Sequence, residues 1–306
     1  MRAARIAELG QPPRPVEVEG DGAIEVRAVA LNPLDLAVAA GRFYGGHPAL
    51  PYVPGCEAVG SRNGERIYLF GEGRGTQRDG FLVERTDFPA ELGVPVPEGL
   101  DDAVAAACGV AGVAGWMPVA TRAQVAEGDR VLVLGATGTV GSIALQAAQV
   151  LGAERVVGAG RNYERLRRAL ELGADTTVLL EGDDLVERLR EACGGDGPTV
   201  VVDPLWGEPV RAAVEAAAPK ARIVHVGQSA GPEATFASAA VRGKQLSILG
   251  HSNFGLTPDE RRQAYVEVTE QVAAGRISIA VETFSLDEVA SAWSAQGGGA
   301  KAVVRF

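Results

Sequence analysis

From residue 128 onward, short runs of β-branched and apolar residues alternate with longer segments whose apolar positions recur at helical spacing. The runs at 131–135, 155–159, 176–180, 199–203, 222–227 and 246–250 read as strands. Helical periodicity fills the gaps near 140–151, 162–173, 183–193 and 208–218. Strands that are apolar throughout are covered on both faces, so this order predicts a parallel sheet with helices on either side. Six such strands complete a doubly wound α/β array.

The first hundred residues follow another rhythm. "AIEVRAVALN" (23–32) alternates like a half-buried strand. "RIYLFG" and "FLVERT", separated by "EGRGTQRDG", predict a hairpin. Proline clusters at 46–55 and 94–99 predict extended loops that no helix crosses. After 257, "TPDERRQAYVEVTEQVAAG" predicts a helix with Thr257 as N-cap, Pro258 at the first helical position and Gly275 as stop. A strand in "RISIAVETFS", a helix in "LDEVASAWSAQ" and a last strand in "KAVVRF" complete the chain. The uncharged stretch "AVAAACGVAGVAGWMPVAT" (103–121) is mostly Ala and Gly, with Pro118 inside. It buries little apolar area per residue and reads as a buried helix–turn–helix at a domain junction rather than a membrane span.

Composition narrows the function. The net charge is −10, which disfavours a protein that tracks nucleic-acid phosphates. The three cysteines, Cys56, Cys108 and Cys193, are odd in number and far apart; they form no disulfide framework and fit a reducing cytosol. The N-terminal residues lack the apolar core of a secretion signal.

The chemistry enters at the first strand–helix junction, Ala136-Thr137-Gly138-Thr139-Val140-Gly141. This is the dinucleotide fingerprint with its first glycine replaced by alanine. Gly138 would let the backbone approach a pyrophosphate, Gly141 would let the helix pack closely, and the amides at the helix start would bind the anion. About twenty residues on, an NAD site usually carries an acid for the ribose hydroxyl. Here Gly160 stands in its place, followed by Arg161 and Asn162. A guanidinium there suits a 2′-phosphate, so the expected cofactor is NADPH.

Taken together, these pieces resemble the zinc-free quinone-oxidoreductase branch of the medium-chain dehydrogenase/reductase superfamily. The likeness rests on "ALNPLDLAVAAGRFYGG…LPYVPGCEAVG", "VPVPEGLDDAVAAACGVAGVAGW", "GDRVLVLGATGTVGSIALQAAQVLGA", "LELGAD" and "SLDEVASAW…KAVVRF". It implies a GroES-like catalytic domain (1–110 and 256–306) into which a Rossmann NADPH-binding domain (111–255) is inserted, with ligands in the cleft at the junction. It also implies a cytoplasmic homodimer formed through the edge run "LSILGHSN" (246–253). Zinc-bearing relatives place ligands at the positions of Asn32, Cys56 and about Cys108; Asn32 leaves that set incomplete, so no metal is expected.

The resemblance places Asn32 near nicotinamide and substrate, where its amide would hold a carbonyl oxygen. A family tyrosine eleven residues further on falls here on Phe43, with Tyr44 beside it. Either Tyr44 takes that role by a one-residue shift, or no phenolic donor stands there. On the Rossmann side, Gly227, Gln228 and Ser229 would approach the nicotinamide, with Asn253 and His251 close by; Trp206 reads as packing. The implied activity is hydride transfer from NADPH to a quinone or similar conjugated carbonyl. The alternatives are an enoyl or enone reductase with Tyr44 or His251 as proton donor, and a non-catalytic NADPH-binding sensor or partner protein.

Overall fold

In the computed structural model, which describes residues 1–306, the chain divides into two units. One comprises Met1–Ala111, Pro258–Ala273 and Ile279–Phe306; the other comprises Gly112–Thr257 and Ala274–Ser278. The strands in chain order are β1 (Arg2–Arg5), β2 (Arg14–Glu17), β3 (Ile24–Ala30), β4 (Glu57–Arg62), β5 (Glu65–Phe70), β6 (Arg85–Thr86), β7 (Val94–Pro95), β8 (Arg130–Leu134), β9 (Arg155–Gly160), β10 (Thr176–Leu179), β11 (Val200–Asp203), β12 (Arg222–His225), β13 (Ser247–Gly250), β14 (Val281–Ser285) and β15 (Lys301–Arg305). The helices are α1 (Pro33–Ala39), α2 (Asp102–Ala107), α3 (Val113–Met117), α4 (Thr139–Val150), α5 (Tyr163–Glu171), α6 (Leu185–Ala192), α7 (Gly207–Ala216), α8 (Ser238–Gly243), α9 (Pro258–Ala273) and α10 (Val289–Ser294).

The second unit is the doubly wound sheet that the apolar runs predict. Its six parallel strands lie in the order β10-β9-β8-β11-β12-β13, the Rossmann arrangement. The central β8 pairs Leu132 with Val157 on one side and with Val201 on the other. Leu132, Leu134, Val157, Val201 and Ile223 join one core with Leu189 of α6 and Val210 of α7. Each residue is apolar because both faces of the strand are covered.

The first unit holds a seven-strand mixed sheet, with β14-β15-β3-β4-β5-β7 in line and β6 on β3, beside the small β1-β2 pair. Ile24, Val29 and Ala58 face a core completed by Leu69, Phe81, Leu286 and Val304. Here the sequence expectation needs correction. "RIYLFG" does not form a hairpin with "FLVERT". It pairs with β4 across Asn63-Gly64, with Arg62 opposite Glu65. Both turn residues have positive φ, 53° and 87°, as a two-residue hairpin turn requires. The backbone of 80–84 is taken up elsewhere: Gly80 N–H bonds Val53 O, Leu82 N–H bonds Pro54 O and Glu84 N–H bonds Arg2 O. Arg85–Thr86 pair with β3, and Glu84 O accepts from Val26 N beside them. Similarly, "RISIAVETFS" is a strand only over Val281–Ser285.

Asp102–Arg122 is nearly continuous helix, kinked at Gly109 (φ −69°, ψ −111°), rather than a helix–turn–helix. It is long and apolar enough to cross a membrane, but 78% of its most apolar window is buried inside the protein, as in a core helix.

Candidate functional site

The nucleotide turn follows β8. Gly135 takes the left-handed conformation (φ 64°), so the tight-turn glycine lies one residue before the alanine of the fingerprint. Ala136 is buried, its N–H bonds Ala159 O, and its methyl group lies where Gly158 must stay bare. Gly138 is the N-cap of α4, extended (φ −93°, ψ 165°), with no side chain to cap the helix. The amides of Thr139, Val140 and Gly141 therefore open the helix without intrahelical partners. A Cβ on Gly141 would collide with the Gly135 carbonyl, whereas a Cβ on Gly138 would meet only that oxygen, at 3.5 Å. Gly141 is thus bare for packing. Gly138 has room, and nothing in the fold demands a glycine there.

At the end of β9, a Cβ on Gly160 would press on Thr137 Cγ2 at 3.0 Å and Leu166 Cδ2 at 3.2 Å, so a side chain there would fit only if these two gave way by a few tenths of an ångström. Asn162 caps α5, its Oδ1 accepting from Arg165 N at 2.9 Å. Arg161 between them is exposed. Its position beside the helix start sets its charge against the dipole, a place that suits an anion to be bound.

The remaining carboxyl ends form a continuous edge. Asp203, fully buried, ends β11. Its Oδ1 accepts from Leu205 N and Trp206 N, both at 2.9 Å, and its Oδ2 lies 3.3 Å from His225 Nδ1 at the end of β12. Trp206 adopts φ 57° and ψ −160°, a region costly for a residue with a side chain. Its indole lies 4.1 Å from the His225 ring and meets Phe236 edge-on. A Cβ on Gly227 would sit 3.0 Å from Pro204 O. Ser229 hangs on that same carbonyl oxygen through Oγ at 3.2 Å, and Gln228 is exposed. Directly after β13, His251 N–H bonds His225 O, and His251 Nε2 lies 3.0 Å from Asn253 Oδ1. Burial holds the His251 pKa below its ordinary value, against the bond to Asn253. Asp203 and His225 went unremarked at the level of sequence. The available signal was a titratable residue closing each of two adjacent strands.

In the other unit, Asn32 precedes α1 and is 2% exposed. Its Nδ2 donates to Glu57 Oε1 at 2.7 Å and to Ala30 O at 3.1 Å, and its Oδ1 accepts from Lys301 Nζ. The amide that was expected to hold a substrate carbonyl thus has both hydrogens committed inside the protein. Glu57 Oε2 also accepts from Tyr68 OH at 2.8 Å and Val110 N at 2.6 Å. Asp35 accepts from Asn32 N at 2.7 Å and Cys56 N at 3.0 Å. Burial raises the pKa of both carboxyls and lowers that of Lys301, while their mutual charges and these donors work the opposite way. Every one of these partners of the two carboxylates is a donor, which favours the ionised cluster. Tyr44 lies apart from this cluster, 86% exposed, with its ring 4.5 Å from Phe43.

These residues do not fit zinc. Asn32 turns its oxygen to a lysine, burial pushes the Cys56 and Cys108 thiols up, and no group of three His, Cys, Asp or Glu side chains is placed to hold a metal ion.

The chain thus combines a Rossmann unit with a glycine turn and a mixed-sheet unit built from both ends of the sequence. The chain is similar to members of the medium-chain dehydrogenase/reductase superfamily, quinone oxidoreductases among them. Residues 139–271 match the zinc-binding dehydrogenase family. A phenolphthiocerol/phthiocerol polyketide synthase of Mycobacterium tuberculosis is 30% identical over 90% of this chain, which spans only 13% of that protein. Quinone oxidoreductase of Rattus norvegicus is 26% identical over 86% of this chain and 83% of its own length. Among solved structures, an NAD-dependent alcohol dehydrogenase superposes with TM-score 0.86 at 25% identity, with both chains covered fully. A mycobacterial protein complexed with NADPH gives TM-score 0.86 at 22% identity, also with both chains covered fully.

Proposed function

We propose that the protein is an NADPH-dependent reductase of quinones or similar conjugated carbonyl compounds. The observation that carries this reading is Arg161, an exposed guanidinium directly after β9, where Gly160 stands in place of the acid of an NAD site. The residues fit the dinucleotide. The amides at the start of α4 would take the pyrophosphate, Arg161 the 2′-phosphate, and the loops at Gly227–Ser229 and Asn253 the nicotinamide half. When bound, NADPH supplies the hydride.

The chain's own residues orient and exclude water. No metal-fitting set is at hand to polarise an alcohol or plain ketone, so the favoured acceptor is one already electrophilic. Asn32 acts here as a support that holds Glu57 and Lys301 together, and Tyr44 as a contact for the acceptor. The exposed edge strand β13 suits pairing with a second copy, giving a homodimer. The buried free thiols suit a reducing, cytoplasmic setting.

The test is NADPH oxidation by the purified protein with a planar quinone and a conjugated enal, together with Kd values for NADPH and NADH. Arg161→Gln should weaken NADPH binding by about tenfold to a hundredfold, the worth of a charge-assisted phosphate contact, and leave NADH binding unchanged. Equal losses for both nucleotides, or no turnover of any acceptor by the wild type, would overturn the assignment. Turnover of the enal alone would favour the enoyl-reductase reading.

A further inference from the structure

We propose that His225 is the proton donor of this reductase and that Asp203 is its positioning residue; the proposal rests on the reductase reading above. Four independent features meet at this point of the sheet. Asp203 is fully buried, yet only one of its oxygens is used by its own turn, accepting from Leu205 N and Trp206 N. The other oxygen faces His225 Nδ1 at 3.3 Å. The His225 ring is fixed on its flank by the Trp206 indole at 4.1 Å, and Trp206 is held there in a left-handed backbone conformation. His225 itself keeps 30% of its side chain exposed.

A packing histidine needs none of this. A buried carboxylate on Nδ1 fixes the tautomer and the orientation of the ring, leaving Nε2 to carry the transferable proton. Position adds to the argument. β11 lies next to β8 and its nucleotide turn, with β12 one strand further, and ligands of open α/β sheets bind outside the carboxyl ends of the strands. The side chains of Leu205 and Pro204 lie within 3.4 Å of where a Cβ on Gly135 would stand, so the Asp203 loop adjoins that turn. His251, one strand further, spends its Nε2 on Asn253.

The step balances simply. Reduction of a quinone to a hydroquinone takes one hydride, two electrons and a hydrogen nucleus, from the reduced nicotinamide, and one proton. His225 gives that proton: the Nε2–H bond breaks, an O–H bond forms on the hydroquinone oxygen, and the neutral ring keeps Nδ1–H on Asp203. Solvent at the exposed edge of the ring returns the proton.

The chain has three histidines, which makes their ring signals simple to assign. Nitrogen-15 NMR of the protein without nucleotide should show His225, when neutral, as the Nδ1–H tautomer, and Asp203→Asn should abolish that preference. In kinetics, His225→Ala should lower kcat by about a hundredfold or more, the usual worth of a general acid, with the Kd for NADPH unchanged within about twofold. Added imidazole should restore part of the rate. His225→Gln, which keeps bulk and polarity, should show the same loss at an unchanged Tm. An Nε2–H tautomer in the wild type, an unaltered kcat in both variants, a loss explained by weaker NADPH binding, or no response to imidazole would each overturn the proposal while the reductase reading stands. A wild type that reduces no acceptor would remove both.

Discussion

Gly138 and Gly141 look alike on the page and differ in the fold. Gly141 is bare because α4 starts against the Gly135 carbonyl, so Gly141→Ala should unfold or distort the turn and lower Tm together with nucleotide binding. Gly138 has an ordinary extended backbone and 3.5 Å of clearance, so Gly138→Ala should leave Tm unchanged. If the turn holds a pyrophosphate, the same substitution should weaken NADPH binding by about tenfold or more, because the methyl group stands where the ligand approaches. Thermal melts and nucleotide titrations on the two variants separate the roles. A Gly138→Ala protein that binds NADPH like the wild type would reduce the motif to a turn.

Between elements, the amino ends of the Rossmann strands are tied by Asp129. It accepts from Ala126 N at 3.0 Å, from Thr199 Oγ1 at 2.8 Å and from the Arg222 guanidinium, joining the entries to β8, β11 and β12. Burial pushes its pKa up, but the bonds from Arg222, Thr199 and Ala126 outweigh it, and the carboxyl sits below the usual 3.8. A lowered folded-state value means that the unfolded chain binds the proton more readily. The stabilisation is therefore complete above the ordinary carboxylate range and is lost as pH falls through the folded-state value. Asp129→Asn should lower Tm at neutral pH by about 2 °C or more and flatten the acid limb of stability against pH. Melts from pH 7 down to pH 2 check this; an acid limb identical in both proteins would exclude Asp129 as its source.

At the scale of the whole molecule, the open question is its assembly. β13 pairs only with β12, and Ser247, Ile248 and Gly250 along it are exposed. Unpaired backbone groups beside an apolar side chain invite pairing with an identical strand. If the proposed homodimer forms there, the wild type should sediment as a dimer at micromolar concentration, and Ile248→Lys should shift it towards monomer. The added charge would then lie against its own copy. A monomeric wild type, or a variant that stays dimeric, would place the contact elsewhere or nowhere.

Periodicity alone carried the six Rossmann strands and the four helices α4 to α7, though not the short α8, because a strand covered on both faces must be apolar throughout and a helix on a sheet must be apolar at every third or fourth position. Local spacing also carried the glycine turn and Arg161, since both lie within one βαβ unit. The hairpin at Asn63-Gly64 was legible too, but a glycine-rich loop further on offered a stronger false signal. Only the tertiary structure brought Lys301 to Asn32, across 269 residues, and Asp203 to His225, across 22. Those partnerships depend on strand order and on which groups are stripped of water. Neither is a property of neighbouring residues, so no local pattern records it.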